Sequence, residues 1–420
     1  MAYITASSGQ FNLSGARFRF LGINCYLLIQ GDLSTSELDD FFHYCNLDRI
    51  TVVRAWCFNQ DVPATNNVGN FRYKSGSTLQ WIESTFISLD RVLDSARRHG
   101  VRLILPLVDN NGNNKEDYLT WNDAINGTSY GANEWEFFDD TNIRQMYKDF
   151  VDKLSARVNT INGQVYSTDD TIFSIELGNE LRYDKGGDPN INTPSSYNFA
   201  QLGKSGGWAD VMSTYIRTKF PNHLIGYGDL GHTNDYVTGD TVHNGTLYGV
   251  DYTLTGALTN ISYFDFHLYA YDGSYNLQKY GQSLGEADAA SARGLTRQIR
   301  DFIKIAKANN KPCIIGEWGI DKRNTSNNLY PSYPRQNHFK KLFSDFYDSG
   351  GDGILLWHYS TESILDDNNY NIRPDGAHSG DYDNGNENDD DSSLRSLIAQ
   401  TANRVGSKRI VVDSVRGVSI

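Results

Sequence analysis

Cysteine is scarce in this chain, and its four copies, Cys25, Cys45, Cys57 and Cys313, show no CxxC spacing. That excludes a zinc-binding cluster and a dense disulfide framework, both of which need close, repeated cysteines. Cys25 and Cys57 follow the first two expected strands and could be neighbours, but two buried free thiols are the favoured reading. Basic clusters are missing as well. With a formal net charge of -13 over 420 residues, nothing in the chain is suited to neutralising phosphates, so no nucleic-acid partner is expected and a neutral substrate fits better. No segment approaches the roughly 18 consecutive apolar residues of a membrane span, so no membrane partner is expected. Met1-Ala2-Tyr3-Ile4-Thr5 lacks a basic region leading into an apolar core. The expectation is a secreted protein whose signal is absent from this chain, with a cytoplasmic protein as the alternative. Sequons at Asn12, Asn126, Asn244, Asn260 and Asn324 do not decide between them. No Pro-, Gly- or Ser-rich stretch and no break in composition divides the chain, so a single domain over residues 1–420 is expected.

What is present is an alternation of apolar runs with stretches of helical period. The runs are Phe18 to Asn24, Ile50 to Trp56, Val101 to Val108, Thr171 to Leu177, His223 to Tyr227, Tyr263 to Leu268, Pro312 to Glu317 and Gly353 to Trp357. Most are continuous in Val, Ile, Leu or Phe, as burial on both faces requires. The clearest amphipathic stretches are Leu79 to His99, Asn142 to Val158, Ala292 to Ala308 and Gln336 to Ser349, with Gly100, Asn309 and Gly350 as stop signals. Eight such pairs, with no glycine-rich phosphate loop, predict an α/β fold of the (β/α)8 TIM barrel type rather than an open doubly wound sheet. Phe11 and Phe18, flanking Ser14-Gly15, predict an N-terminal β-hairpin that plugs the barrel bottom. Long segments follow strands at 109–140, 182–204, 229–250 and 358–391 and would wall a cleft on the catalytic face. The acidic run Asp381 to Asp391 does not match the EF-hand calcium loop and reads as solvated.

Two apolar runs lead into glutamates, Ile175-Glu176-Leu177-Gly178-Asn179-Glu180 and Ile314-Ile315-Gly316-Glu317-Trp318. Desolvating a carboxylate is costly, and parallel barrel strands open their carboxyl ends on one face, so the pair implies a shared site. Glu180 and Glu317 suit a retaining glycosidic cleavage, in which one carboxylate attacks the anomeric carbon and another carboxyl about 5 Å away protonates the leaving oxygen. Arg54, in Val52-Val53-Arg54-Ala55-Trp56, and Tyr269, in Phe266-His267-Leu268-Tyr269, can hold one carboxylate ionised. No cluster of His and acidic residues reaches metal-ligand spacing on the strand ends, so neither a metal nor another cofactor is expected.

With these motifs the chain resembles glycoside hydrolase family 5 of the retaining clan A barrels, most closely its endo-β-1,4-mannanase branch. The likeness runs from Phe20-Leu21-Gly22-Ile23-Asn24 to Leu356-Trp357 and includes Arg157-Val158-Asn159-Thr160 before the strand at 171 and Tyr118-Leu119-Thr120-Trp121 after Asn110. The resemblance implies Glu180 as acid/base and Glu317 as nucleophile. It places Asn179 on the sugar 2-hydroxyl, Arg54 and Tyr269 on the nucleophile, His267 near the acid/base and Trp357 under the sugar. It implies substrate binding by Asn110, Trp121 and Arg182, with Trp56 added at the strand end. The partner expected is a β-mannan-type polysaccharide or oligosaccharide, acted on by a monomer. The alternatives are an exo-acting β-mannosidase, an endo-β-1,4-glucanase and a non-catalytic carbohydrate-binding barrel. Leu181 stands where the branch commonly has proline, Asn111 departs from the usual Asn-Asn-Trp, and Asp229 replaces a common glutamate. These differences bear on substrate rather than on mechanism.

Overall fold

A computed structural model describes residues 2–59, 69–110, 114–131, 133–183, 202–231, 250–269, 290–319, 335–361, 363–364, 370–374 and 394–406. The chain opens with a three-stranded antiparallel meander, β1 (Ile4–Ser7), β2 (Gln10–Leu13) and β3 (Ala16–Phe18). Its two turns, Ser8-Gly9 and Ser14-Gly15, have both residues at positive φ, the mirror-image turn that matches strand twist. The expected hairpin is therefore extended by one strand, and the first apolar run divides at Arg19, with Phe18 in the meander and Phe20 in the barrel.

The barrel strands are β4 (Phe20–Asn24), β5 (Val52–Arg54), β8 (Arg102–Pro106), β9 (Ile172–Glu176), β10 (Leu224–Gly226), β11 (Phe264–Leu268), β12 (Cys313–Trp318) and β13 (Gly353–Leu356). All their residues are buried, which accounts for the unbroken apolar runs. Seven parallel ladders join them in the order β10-β9-β8-β5-β4-β13-β12-β11. The remaining seam, between β10 and β11, is closed by Ser262, whose backbone N–H donates to Ile225 O at 2.7 Å while its Oγ accepts from Ile225 N–H at 3.0 Å. The (β/α)8 expectation is met.

The lower barrel is filled by Phe20, Val52, Ile104, Phe173, Leu224, Tyr263, Ile314 and Leu355, one from each strand or the residue before it. Ile4, Phe11 and Phe18 of the meander close this cluster from below, and the Phe11 ring meets Phe173 edge-on at 5.3 Å and Tyr263 at 5.7 Å. Burying each such ring contributes about 1.5–3 kcal/mol, so the plug is part of the core. A larger cluster lies outside the strands, beneath the helices. Helices Thr141–Ala156, Ala290–Ala308 and Arg335–Asp348 fall within two residues of expectation. Left-handed residues Gly100, Asn310 and Gly350 follow three helices, the second standing one residue beyond Asn309.

One expectation fails at the start of the second helix. Residues expected as helical from Leu79 instead close a hairpin of β6 (Arg72–Ser75) and β7 (Thr78–Trp81), and the helix runs over Glu83–Arg98. The alternation from Arg72 to Trp81 across the left-handed Gly76 carries the strand signal. The long segment 109–140 contains helices Asn114–Asn126 and Glu136–Asp139. Most of the other three long segments, with the acidic run Asp381 to Asp391 and the sequons at Asn244 and Asn324, lies outside the described residues, as does Asn111. All four cysteines are free and buried. No helix among the described residues is long and apolar enough to cross a membrane.

Candidate active site

The ladder between β11 and β12 pairs Phe266 with Ile315 and then His267 with Glu317, so Gly316 is the extra residue of a bulge. The bulge sets His267 opposite Glu317 and leaves no side chain between them. A Cβ at Gly316 would stand 2.8 Å from Nε2 of His267, closer than packing allows. Glu180 arrives differently. Strand β9 ends on Glu176, and Glu180 lies four residues on, in the left-handed region at φ 54°. For a residue with a side chain that conformation costs on the order of 1 kcal/mol, and the surrounding bonds hold it. Glu180 N–H donates to Gly228 O and Asn179 N–H to Val108 O, both at 2.7 Å. Gly228 itself is left-handed, and a Cβ there would fall 1.7 Å from Gly178 O, so only glycine admits this approach. The strand-ending carboxylate is thus Glu176, and Glu180 sits on a pinned loop.

Arg54, fully buried at the end of β5, ties these elements together. Its Nε donates to Glu176 at 2.7 Å, Nη1 to Glu317 at 2.9 Å and to Asn24 at 3.3 Å, and Nη2 to the Asn179 side-chain oxygen at 2.7 Å. Asn179 passes its amide on to Asp109 at 2.9 Å, and Asn24 donates to Gly316 O at 3.0 Å. The second oxygen of Glu317 accepts from Tyr269 OH at 2.6 Å. Nδ1 of His267 lies 2.7 Å from Oε1 of Glu180 and 3.6 Å from Oε1 of Glu317. Oxygens of the two glutamates stand within 4.8 Å of one another.

Burial raises the pKa of Glu317, and Glu180 adds to this; His267, Arg54 and the Tyr269 hydroxyl oppose it. Arg54, although burial works against its charge, is held protonated by Glu176 and Glu317. Burial likewise disfavours a charged His267, yet Glu317 and Glu180 raise its pKa above the ordinary value. Behind this group, burial lifts Asp229 to about 6 even though Gly231 N–H and the Thr255 hydroxyl donate to it. A raised carboxyl pKa contributes stability that is full below the unfolded value near 4 and is lost as pH rises through 6. Asp229→Asn removes that loss. Between pH 4 and pH 7 the wild type should therefore lose on the order of 2 kcal/mol relative to the variant. Urea unfolding of both proteins at the two pH values measures this, and parallel pH profiles would contradict it.

An aromatic wall adjoins the carboxylates. Tyr26 stacks on Trp357 at 5.5 Å and 8°, and Trp56 lies 4.8 Å from Tyr26 and 5.9 Å from Trp357. Trp56 and Trp357 are both half-buried, so each keeps some accessible surface. Asn110 accepts from Arg182 N–H at 2.9 Å and donates its own N–H to Asn179 O at 3.0 Å, so it couples the loops after β8 and β9. Trp121 does not meet its expected role. It is 2% exposed, packs against Tyr118 in the core and lies under the Arg72 guanidinium at 5.1 Å. Trp318 is wholly buried too. Leu181, in place of the expected proline, fills the space beside Gly178 and Val108. Tyr26, Asn24, Asp109, Glu176 and Asp265 are site residues that sequence reasoning missed. Glu176 and Asp265 among them had one signal, a charged side chain inside a buried run.

Among the described residues, Glu180, His267 and Glu317 form the one trio close enough to share a metal ion. A cation there would face Arg54 beside Glu317, and repulsion at that range disfavours it.

Comparison with known proteins places this geometry in a family. Mannan endo-1,4-beta-mannosidase 1 of Arabidopsis thaliana is 27% identical over 86% of this chain and 82% of its own length. The crystal structure of the endo-1,4-beta-mannanase from Rhizomucor miehei superposes with a TM-score of 0.71 at 20% identity, covering 97% of this chain and all of that one. The endo-beta-1,4-mannanase from Thermotoga petrophila gives 0.67 at 25% identity over 92% of this chain and 77% of that one. The model of the GH family 5 beta-mannosidase-like proteins matches residues 70–408, most of the chain, with Glu180, His267, Tyr269 and Glu317 inside the match. This chain therefore belongs to the β-mannosidase-like proteins of glycoside hydrolase family 5.

Proposed function

We propose that the chain is a retaining endo-β-1,4-mannanase in which Glu317 is the nucleophile and Glu180 the acid/base. The observation that carries the reading is the separation of the two carboxylates. Oxygens within 4.8 Å leave no room for the water that an inverting enzyme seats between groups about 6.5–9.5 Å apart. Glu317, gripped on one oxygen by Arg54 and on the other by Tyr269, attacks the anomeric carbon. Glu180 gives its proton to the departing glycosidic oxygen. In the second half of the reaction Glu180 takes a proton from water, which opens the glycosyl ester at Glu317. Asn179, oriented by Arg54 and Asp109, offers its amide to the sugar 2-hydroxyl. Trp357, backed by Tyr26 and Trp56, supplies the apolar face on which a pyranose ring stacks. Asn110 and Arg182 flank the substrate on the far side.

The names of the relatives support mannan as the polymer, and the absence of basic clusters in the sequence suits a neutral one. We place the protein outside the cell, because a polymeric mannan does not cross a membrane. The test is a time course on linear mannan, glucomannan, cellulose and an aryl β-mannoside. Oligosaccharides of mixed length from both mannans are expected. Mannose alone would indicate exo action, and cleavage of cellulose alone would indicate a glucanase. Binding of mannan with no release of reducing ends would indicate a non-catalytic barrel.

A further inference from the structure

The polar floor beneath the two glutamates contains an acid that the reaction above does not use. Asp265 lies in β11 between Phe264 and Phe266, two residues before His267, and is 2% exposed. Its Oδ1 accepts the backbone N–H of Asp229 at 3.2 Å. Its Oδ2 has no partner, and neither has Nε2 of the fully buried His267. Both atoms border one spot, the missing side chain of Gly316. A Cβ there would stand 2.8 Å from Nε2 and 3.7 Å from Oδ2. Leaving a buried polar group unpaired is costly, and pairing these two, directly or through one water, removes both penalties.

We infer that Asp265 is a positioning residue for the acid/base: its Oδ2 and Nε2 of His267 share one proton beside Gly316, which keeps the other imidazole hydrogen on Nδ1, directed at Oε1 of Glu180. The inference rests on the roles proposed above for Glu180 and Glu317. An imidazole ring fixed in this way donates Nδ1–H to Oε1 of Glu180 in both halves of the reaction. Oε2 is then the atom that carries the proton toward the leaving oxygen and later accepts one from water. The shared proton on Nε2 never leaves the Asp265–His267 pair, so the proton balance of hydrolysis is unchanged. Without a partner for Nε2, neutral His267 is free to move its hydrogen there and turn a lone pair toward Glu180.

The surrounding charges suit this sharing. Glu180 and Glu317 face Nδ1, Arg54 opposes positive charge from β5, and Glu176 and Asp229 act on Asp265 from β9 and the end of β10. The Tyr263 hydroxyl, also buried here, donates to Glu176 at 2.9 Å. Burial, reinforced by Glu176, pushes Asp265 well above the carboxylate range while His267 pulls it back. Both members of the pair therefore retain affinity for the proton.

Two substitutions separate positioning from mere packing. In Asp265→Asn the amide oxygen replaces Oδ1 against Asp229 N–H, so the NH2 group occupies the place of Oδ2 and donates to Nε2. That variant should keep kcat within about threefold of wild type, with Nδ1 still protonated. Asp265→Leu should lower kcat on a mannooligosaccharide roughly 10- to 100-fold with little change in KM. It should also raise the alkaline limb of the pH profile by about one unit, because the Glu180 carboxylate loses a donor. Histidine 15N shifts, assigned with His267→Asn, should show the hydrogen moving from Nδ1 to Nε2 in the leucine variant. Asp265→Ala carries the same expectations if leucine prevents folding. An unchanged pH limb and an unchanged tautomer in the apolar variants would overturn the inference, as would an asparagine variant as impaired as they are. If the wild type hydrolyses no mannoside, the proposed function fails, and the 15N shifts still decide the role of Asp265.

Discussion

Glu317→Ala is expected to abolish mannan hydrolysis, lowering kcat by roughly 10⁵-fold, while leaving the barrel folded. The kinetic loss follows from removing the atom that bonds to the anomeric carbon, for which no neighbour substitutes. Glu180 is committed to His267 and sits on the other side of the proposed cleavage point. The stability outcome is less obvious and comes from the partners. Arg54 keeps Glu176, Asn179 and Asn24 after the change, so its charge stays compensated. A carboxylate whose burial was costly has also gone, so the net change should stay within about 1 kcal/mol. Initial rates on linear mannan, with urea unfolding of the same preparation, test both parts. A folded variant with rates near wild type would contradict the assignment of Glu317, and an unfolded one would show that the carboxylate is structural.

Arg54→Met is expected to produce the opposite pattern, loss of stability together with activity. Methionine occupies a similar volume but leaves Glu176 and Glu317 without their cation and the Asn179 side-chain oxygen without a donor. Glu176 is fully buried and keeps only Tyr263 OH as a described side-chain partner. Removing one member of a buried pair costs about 3–5 kcal/mol, far more than the intact pair contributes over an apolar replacement. The double variant Arg54→Met with Glu176→Gln should recover part of that loss, since the amide carries no uncompensated charge. It should not recover turnover, because Glu317 and Asn179 remain unheld. Unfolding free energies for the wild type, both single variants and the double variant measure the coupling. Additive losses would show that Arg54 stabilises the barrel by some route other than Glu176.

Much of the fold could be read from the chain because burial on both strand faces leaves unbroken apolar runs, and each barrel strand lies within one, except that β12 extends one residue further, to Trp318. The two glutamates proposed as catalytic were legible for a related reason, a carboxylate at or just beyond the end of such a run. Glu176 shows the limit of that logic. It meets the same criterion better than Glu180 does, yet it faces inward to Arg54, and only the left-handed turn at Glu180 separates the two. The bulge at Gly316 decides which side chains of β11 and β12 face each other, and a one-residue shift in register leaves no periodic signature. Trp121 was misread because it lies one helical turn from Tyr118, and that spacing serves a core-facing stripe as well as a cleft wall. The second strand of the hairpin was absorbed from Leu79 into the following helix because it runs to within two residues of the helix start.

Glu180 and Glu317 are proposed to carry out a double displacement on a β-1,4-mannan. Proton NMR of a mannooligosaccharide digest in its first minutes tests it most directly, since the anomeric signals of the new reducing ends appear before mutarotation scrambles them. β anomers from products of several lengths are expected. Initial release of α anomers would contradict a double displacement.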